Sequence, residues 1–289
     1  MAFTTGGFIP PEKDLSKPKI SIYLGAIRPY NWLRLYNSIK ESVGKYSFEL
    51  VLCGPISLPE NLQSITNIKY IKDYGSPVRG AQIASSFCEG ELCALASDDG
   101  IYLPGALERA IDFYESHQTH KLVIVTKYSE GGSNWSNDVC FAWYHQPLQL
   151  QGVAKHSLVL LSNIMSTLYW RQIGGFDCSL FETTNWGGHD LCQRLINDGA
   201  TVLLYDKETV LACDWTDINI ENDDHMPIVH ADDIGYSYST YQAFRRLYLY
   251  PNPERKTIPF DNWREAETIW STRFMPDGSN RKFNPIQRI

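Results

Sequence analysis

Three acidic positions and one histidine stand where charge could act on a phosphate or a hydroxyl. Asp98-Asp99 closes a short apolar run ahead of Gly100, Asp190 follows Gly187-Gly188-His189, and His230 ends the run Pro227 to His230. Carboxylates at a strand end bind Mg²⁺ or Mn²⁺ through one or two oxygens and leave other positions to water and substrate phosphate. A cation so held neutralises charge that grows on a departing diphosphate. A separate carboxylate on the far side of the reacting carbon is suited to take the proton of an attacking hydroxyl. Taken alone, Asp-Asp-Gly is more often an ordinary turn, and a lone histidine is more often a core or surface residue.

Regular elements must hold these residues. Apolar runs at 20–24, 48–53, 68–71, 92–96 and 122–126 read as strands. Helical spacing is present at 32–43 (Trp32, Leu35, Tyr36, Ile39, Val43), at 79–88 and at 104–117, where Pro104 opens the first turn. Strands alternating with helices predict an α/β chain with a mainly parallel sheet covered on both faces. In such sheets ligands bind beyond the carboxyl ends of the strands, which is where Asp98 and Asp99 fall.

The second half is less regular. Residues 128–151 read as loops around a strand at 140–144, and 167–173 run into Gly174-Gly175-Phe176-Asp177. A helix is expected at 190–197, with Leu191 and Leu195 inward, Arg194 outward and Gly199 as the stop. Strands follow at 201–205 and 210–213. Helices at 238–250 and 263–274 flank a stretch with Pro251, Pro253 and Pro259. This divides the chain into an N-terminal arm (1–18), a catalytic core (19–215) and a C-terminal acceptor-side extension (216–289).

Composition narrows the function classes. Of 289 residues 43% are hydrophobic and 20% charged, which excludes a disordered or collagen-like chain. The net charge of −7, without a basic block, argues against nucleic-acid binding. No apolar run reaches the ~18 residues that cross a bilayer, and the start lacks a signal-peptide pattern. The 7 cysteines are scattered with no CxxC pair, as buried thiols of a reducing compartment would be. A cytoplasmic protein is the expectation, with at most transient membrane association.

Five ordered segments carry a resemblance: KISIYLGAIRPYNWLRLYNSI (19–39), Gly90 with ELCALASDD (91–99), GGFD (174–177), WGGHDLCQRL (186–195), and PIVH (227–230) followed by Gly235 and Ser237. In this order they resemble the glycosyltransferase family 2 enzymes of the GT-A nucleotide-diphospho-sugar transferase fold. The resemblance implies a Rossmann-like single domain, with a mainly parallel central sheet flanked by helices and a C-terminal helical appendage. It further implies inverting, metal-assisted sugar transfer from a nucleoside-diphosphate sugar to a hydroxyl of a glycan, lipid-linked or protein-linked acceptor. Donor contacts would come from Ala26, Arg28, Cys53, Arg79, Gln82, Ser97 and Asp98. A divalent Mn²⁺ or Mg²⁺ would sit on Asp99 and His230, and Gly175, Phe176 and Trp186 would face the acceptor. Asp190, with His189, would be the base.

Departures from the family pattern leave alternatives open. Leu52-Cys53-Gly54-Pro55 holds no acid for base recognition, Ser97 replaces the first acid of the metal motif, and Ala81-Gln82 replaces the usual Arg-Asn. If Asp190-Leu191-x-x-Arg194 is the aligned element, the usual Glu-Asp falls on Gly187-Gly188 and the base is missing. The second reading is therefore a catalytically silent module that binds a sugar nucleotide or glycan.

Overall fold

Ile20–Gly25 forms strand β1, and its side chains alternate between two buried layers, Ile20, Ile22 and Leu24 on one face and Tyr23 on the other. Strands β2 (Phe48–Gly54) and β4 (Leu92–Leu95) do the same: Leu50, Leu52, Leu92 and Ala94 join the first layer, Val51, Cys53, Cys93 and Leu95 the second. A strand buried on both faces is apolar at nearly every position, which is why these runs are legible in the sequence. The structure, a computed structural model, describes residues 17–130, 162–181, 184–213 and 254–264.

Helices cover both layers. On the first lie α1 (Trp32–Ser42), with Trp32, Leu35 and Ile39, and α3 (Ala106–Glu115), with Leu107 and Ile111. On the second lie α2 (Pro77–Ser86), with Val78, Ala81 and Ala84, α4 (Thr167–Ile173), with Trp170 and Ile173, and α5 (Thr184–Asn197), with Leu191 and Leu195. Helix α2 starts as chemistry dictates. Ser76 caps it by accepting from the Arg79 N–H at 3.2 Å, and Pro77 stands in the first turn where its missing N–H costs nothing. Helix α4 ends at Gly174, whose φ of 92° is the left-handed cap conformation that glycine adopts without strain.

The remaining strands are β3 (Ile68–Lys72), β5 (Gly100–Tyr102), β6 (Leu122–Glu130), β7 (Asn163–Ser166) and β8 (Thr201–Cys213). They complete a sheet in the order β3-β2-β1-β4-β7-β6-β8-β5. Pairs β3-β2, β2-β1, β1-β4 and β6-β8 are parallel, and β4-β7, β7-β6 and β8-β5 are antiparallel. The chain winds from β1 outward through β2 to β3, then returns through α2 to place β4 on the other side of β1. The strand order therefore reverses between β1 and β4, the position where open α/β sheets bind ligands.

Several expectations are corrected. Helix α3 begins at Ala106, after Pro104, with Gly105 at φ 66° as its N-cap. Ser42 on α1 does the capping, accepting from the Leu107 N–H at 2.9 Å. The strands expected at 201–205 and 210–213 are one strand, because the register jumps from Thr126↔Tyr205 to Lys127↔Thr209 and leaves the polar Asp206-Lys207-Glu208 unpaired with β6. Strands β5 and β7 are too short for an apolar period to reveal. The arm to residue 16, the strand at 140–144, the helix at 238–250 and all but Trp263 and Arg264 of the helix at 263–274 lie outside the described residues. Five of the cysteines, Cys53, Cys88, Cys93, Cys178 and Cys192, are buried thiols outside any disulfide. No described helix is long and apolar enough to cross a membrane.

Candidate functional site

The two aspartates after β4 have different tasks. Asp98 Oδ2 accepts the backbone N–H groups of Ile27 and Arg28, both at 2.6 Å, and the Trp32 indole N–H at 3.3 Å. Its Oδ1 accepts from the Arg28 guanidinium. One carboxylate thus ties the loop after β1 and the start of α1 to the loop after β4, across the point where the strand order reverses. Asp98 is buried, and a cation could bind it only by displacing these N–H donors. Asp98 thus positions Arg28 and the loop after β1.

Asp99 lies beside this knot. Its Oδ1 accepts from the Ser97 hydroxyl, and its Oδ2 is 3.6 Å from Arg28 Nη1. Arg28 is thereby held as a fixed cation between two carboxylates. Burial pushes its pKa down, but the charges of Asp98 and Asp99 outweigh that and raise it, so the guanidinium stays charged. One or two carboxylates with diphosphate and water as further ligands is the usual way Mg²⁺ or Mn²⁺ is held. No cluster of three or more His, Cys, Asp or Glu side chains able to hold a metal occurs among the described residues. His230 lies outside them.

Ala26 and Cys53 form the neighbouring rim, with the Ala26 N–H donating to the Cys53 carbonyl at 2.8 Å. Both are buried, and burial raises the Cys53 thiol pKa, so it is a neutral wall residue. Gly54 is required here, since a Cβ on it would lie 1.8 Å from the Ala26 carbonyl oxygen. Gly54→Ala is expected to force the two strand ends apart and to destabilise the fold by about 1–3 kcal/mol, measured by urea unfolding.

Arg79 and Gln82, both on α2, are engaged by protein groups. Arg79 is engaged by Asp73, its Nε 3.0 Å from Oδ2 and its Nη2 3.1 Å from Oδ1, and it also donates to the Trp263 carbonyl. Its guanidinium carbon lies 5.6 Å from the Trp263 ring centroid. Gln82 has no exposed surface: its amide NH₂ donates to the carbonyls of Gly174 and Phe260 at 3.0 and 2.9 Å, and its oxygen accepts from Phe176 N–H at 2.8 Å. Gln82 fastens the Gly174–Asp177 turn and Phe260 to α2, and Arg79 fastens Asp73 and Trp263 to it.

The acceptor-side expectation changes with them. Phe176 is fully buried, edge-on to Trp170 at 5.2 Å, and Gly175 lies against Gln82, where a Cβ would be 2.3 Å from the amide oxygen. The turn is packed core, not an open platform. Trp186 and His189 belong to α5 by backbone.

Asp190 is likewise buried completely. Its Oδ2 accepts from Arg194 Nε at 2.7 Å and its Oδ1 from Arg255 Nε at 3.2 Å. Arg194, expected to point outward, has no exposed surface and donates to the carbonyls of Ile173 at 2.8 Å and Gly175 at 2.5 Å. Arg255 also reaches Asp177 Oδ2 at 2.5 Å. Two guanidiniums enclose the Asp190 carboxylate away from solvent, which does not suit a base that must meet a substrate hydroxyl. Asp190 and Arg194 form an i,i+4 ion pair on α5.

Arg255, Asn262 and Asp73 are the residues that the sequence did not announce. Asn262 accepts from the Cys178 N–H at 2.9 Å and donates to the Phe176 carbonyl at 3.0 Å. Their partners are all distant in sequence, and no local pattern marks such pairings.

No protein-family profile matches the chain, and no curated protein sequence does. Among solved structures, S. aureus TarS 1-349 aligns with a TM-score of 0.53 at 12% identity, covering 88% of this chain and 72% of that one. The same protein in complex with UDP gives 0.48 at 14%, covering 68% and 60%. Its complex with UDP-GlcNAc gives 0.45 at 14%, covering 68% and 58%. This chain thus spans less than two thirds of the length of the nucleotide-bound structures. The reversal of strand order between β1 and β4, the helices on both faces and the likeness to TarS 1-349 together show that the chain has a GT-A-like fold.

Proposed function

We propose that the chain is a glycosyltransferase that moves a sugar from a nucleoside-diphosphate sugar to a hydroxyl acceptor, with inversion at the anomeric carbon. The observation that carries this reading is the Asp98 knot, which fixes Arg28 and Asp99 side by side beyond the carboxyl ends of β1 and β4. Arg28 offers a permanent positive charge to the diphosphate, and Asp99 is the residue to hold a divalent cation, with His230 as the second ligand proposed from the motif. That cation would supply further neutralisation of the leaving group. In the transfer, the bond from the anomeric carbon to the diphosphate oxygen breaks with its electron pair leaving on the diphosphate. The acceptor oxygen forms the new bond and gives up its proton to a base. Asp190 is not assigned that proton, since it is enclosed by Arg194 and Arg255. TarS, solved with UDP and with UDP-GlcNAc, supports uridine nucleotides as the first donors to try.

The test is release of nucleoside diphosphate from UDP-, GDP-, CDP- and dTDP-sugars, with and without acceptor glycans. Turnover of one donor is expected, falling by at least about 10²-fold in Asp99→Ala, as for loss of one group that stabilises transition-state charge. Equal turnover by Asp99→Ala would contradict the assignment. The enclosure of Asp190 favours one second reading, a silent module that binds the nucleotide without turnover. Donor binding with no release from any sugar nucleotide would establish it.

A further inference from the structure

Residues 254–264 cross the second layer as a strap. Arg255 ties it to α5 and to the turn before it: its guanidinium meets Asp177 Oδ2 at 2.5 Å and Asp190 Oδ1 at 3.2 Å, and its carbonyl accepts from the Asn197 amide at 2.9 Å. Farther on, the Ile258 N–H donates to the Ile173 carbonyl at 3.3 Å, and Asn262 Oδ1 accepts from the Cys178 N–H at 2.9 Å. On α2, Arg79 donates to the Trp263 carbonyl and lies 5.6 Å from its ring centroid. A Cβ on Gly174 would come within 2.1 Å of the Ile258 carbonyl oxygen, so the turn after α4 is shaped to let the strap pass.

These fastenings differ in kind from those of the core. They are mostly hydrogen bonds and ion pairs, whereas β1, β2 and β4 lie between two apolar layers. Glu254, Lys256, Thr257, Pro259, Asp261 and Arg264 are exposed, and Phe260 and Trp263 join the second layer only as partly buried neighbours. The strap's regular structure is one short turn, Asn262–Arg264. A segment with few buried apolar contacts opens locally at a fraction of the free energy of global unfolding. Closed, it leaves both Asp190 oxygens on guanidiniums, Oδ2 on Arg194 and Oδ1 on Arg255. Opening withdraws Arg255 from Asp190 and Asp177 and releases the first turn of α2. That turn packs on the ends of β1 and β2, since a Cβ on Gly80 would lie 3.2 Å from both Gly25 Cα and the Cys53 carbonyl oxygen. We infer that residues 254–264 are an autoinhibitory latch, which opens as a unit while the core stays folded and, when closed, locks α2 to α5 and pairs Asp177 and Asp190 with Arg255. The latch rests on these contacts alone, and the word autoinhibitory rests on the transferase reading above.

The experiment is hydrogen exchange of the full chain read at single amides, together with nucleoside diphosphate release from sugar nucleotides. In the wild type, the Ile258 and Cys178 N–H groups, both bonded across the strap, are expected to exchange together and at least about 100-fold faster than the amides of β1 and β2. Arg255→Gln should speed both about tenfold further with the β1 and β2 amides unchanged, and Arg255→Lys, which keeps the charge, should restore part of the protection. Donor turnover should rise about threefold or more in Arg255→Gln, because a larger share of molecules is open. Strap amides exchanging at the rate of the core, or Ile258 and Cys178 exchanging independently, would overturn the latch without recourse to any variant. Turnover unchanged or lower in an Arg255→Gln chain whose strap exchanges faster would overturn the autoinhibitory role. Concerted fast exchange of the strap in a chain that turns over no donor would keep the latch and remove the transferase reading.

Discussion

Asp190→Ala lowers the free energy of unfolding by about 3–5 kcal/mol, the expected result of removing one partner from a buried ion pair and leaving the other uncompensated. Arg194 would keep the carbonyls of Ile173 and Gly175, and Arg255 would keep Asp177. The effect is read by urea unfolding. A double variant, Asp190→Leu with Arg194→Met, is expected to regain much of the loss, since an apolar pair of similar volume replaces the charges. A general base in an accessible cleft predicts the opposite pattern, with normal stability and a fall in turnover alone. An unfolding free energy of Asp190→Ala within about 1 kcal/mol of wild type would contradict the structural role.

The second large effect separates two adjacent residues. Asp98→Ala strands the Arg28 guanidinium, whose side chain is 5% exposed, beside a single carboxylate 3.6 Å away. It also leaves the N–H groups of Ile27 and Arg28 without the acceptor they share. A loss of about 3–5 kcal/mol is expected, together with loss of nucleotide binding, because the β1 and β4 loops are no longer tied. Asp99→Ala should cost less than Asp98→Ala, because it leaves the Ile27 and Arg28 N–H groups on the Asp98 carboxylate, and yet lose the ligand. Thermal unfolding and nucleotide titration of both variants decide this. Equal stability of Asp98→Ala and Asp99→Ala would contradict the division of labour.

The layered core was legible because each central strand is buried on both faces and each helix repeats apolar residues at helical spacing. Ile20–Gly25, Phe48–Gly54 and Leu92–Leu95 appear as strands within a residue or two of their expected bounds. The site was legible only as a location. Aspartates after β4 and an arginine after β1 are brought together as the α/β pattern predicts, but sequence does not say which carboxylate faces inward. Asp98 and Asp99 differ only in which way the turn points each one. Arg79, Gln82 and Asp190 are polar side chains in an apolar setting, and each has a protein partner. Asp73, Arg194, Arg255 and the carbonyls of Gly174 and Phe260 fill that role, from positions that no local period connects.

The central claim is that a nucleoside diphosphate binds where Arg28 and Asp99 meet. Calorimetric titration with UDP, GDP, CDP and dTDP, each with and without Mn²⁺, on wild type and Asp99→Ala tests it most directly. One nucleotide binding the wild type in a manganese-dependent manner, and failing to bind a folded Asp99→Ala, is the predicted result. No binding of any nucleotide under any condition, or equal binding by the variant, would contradict it.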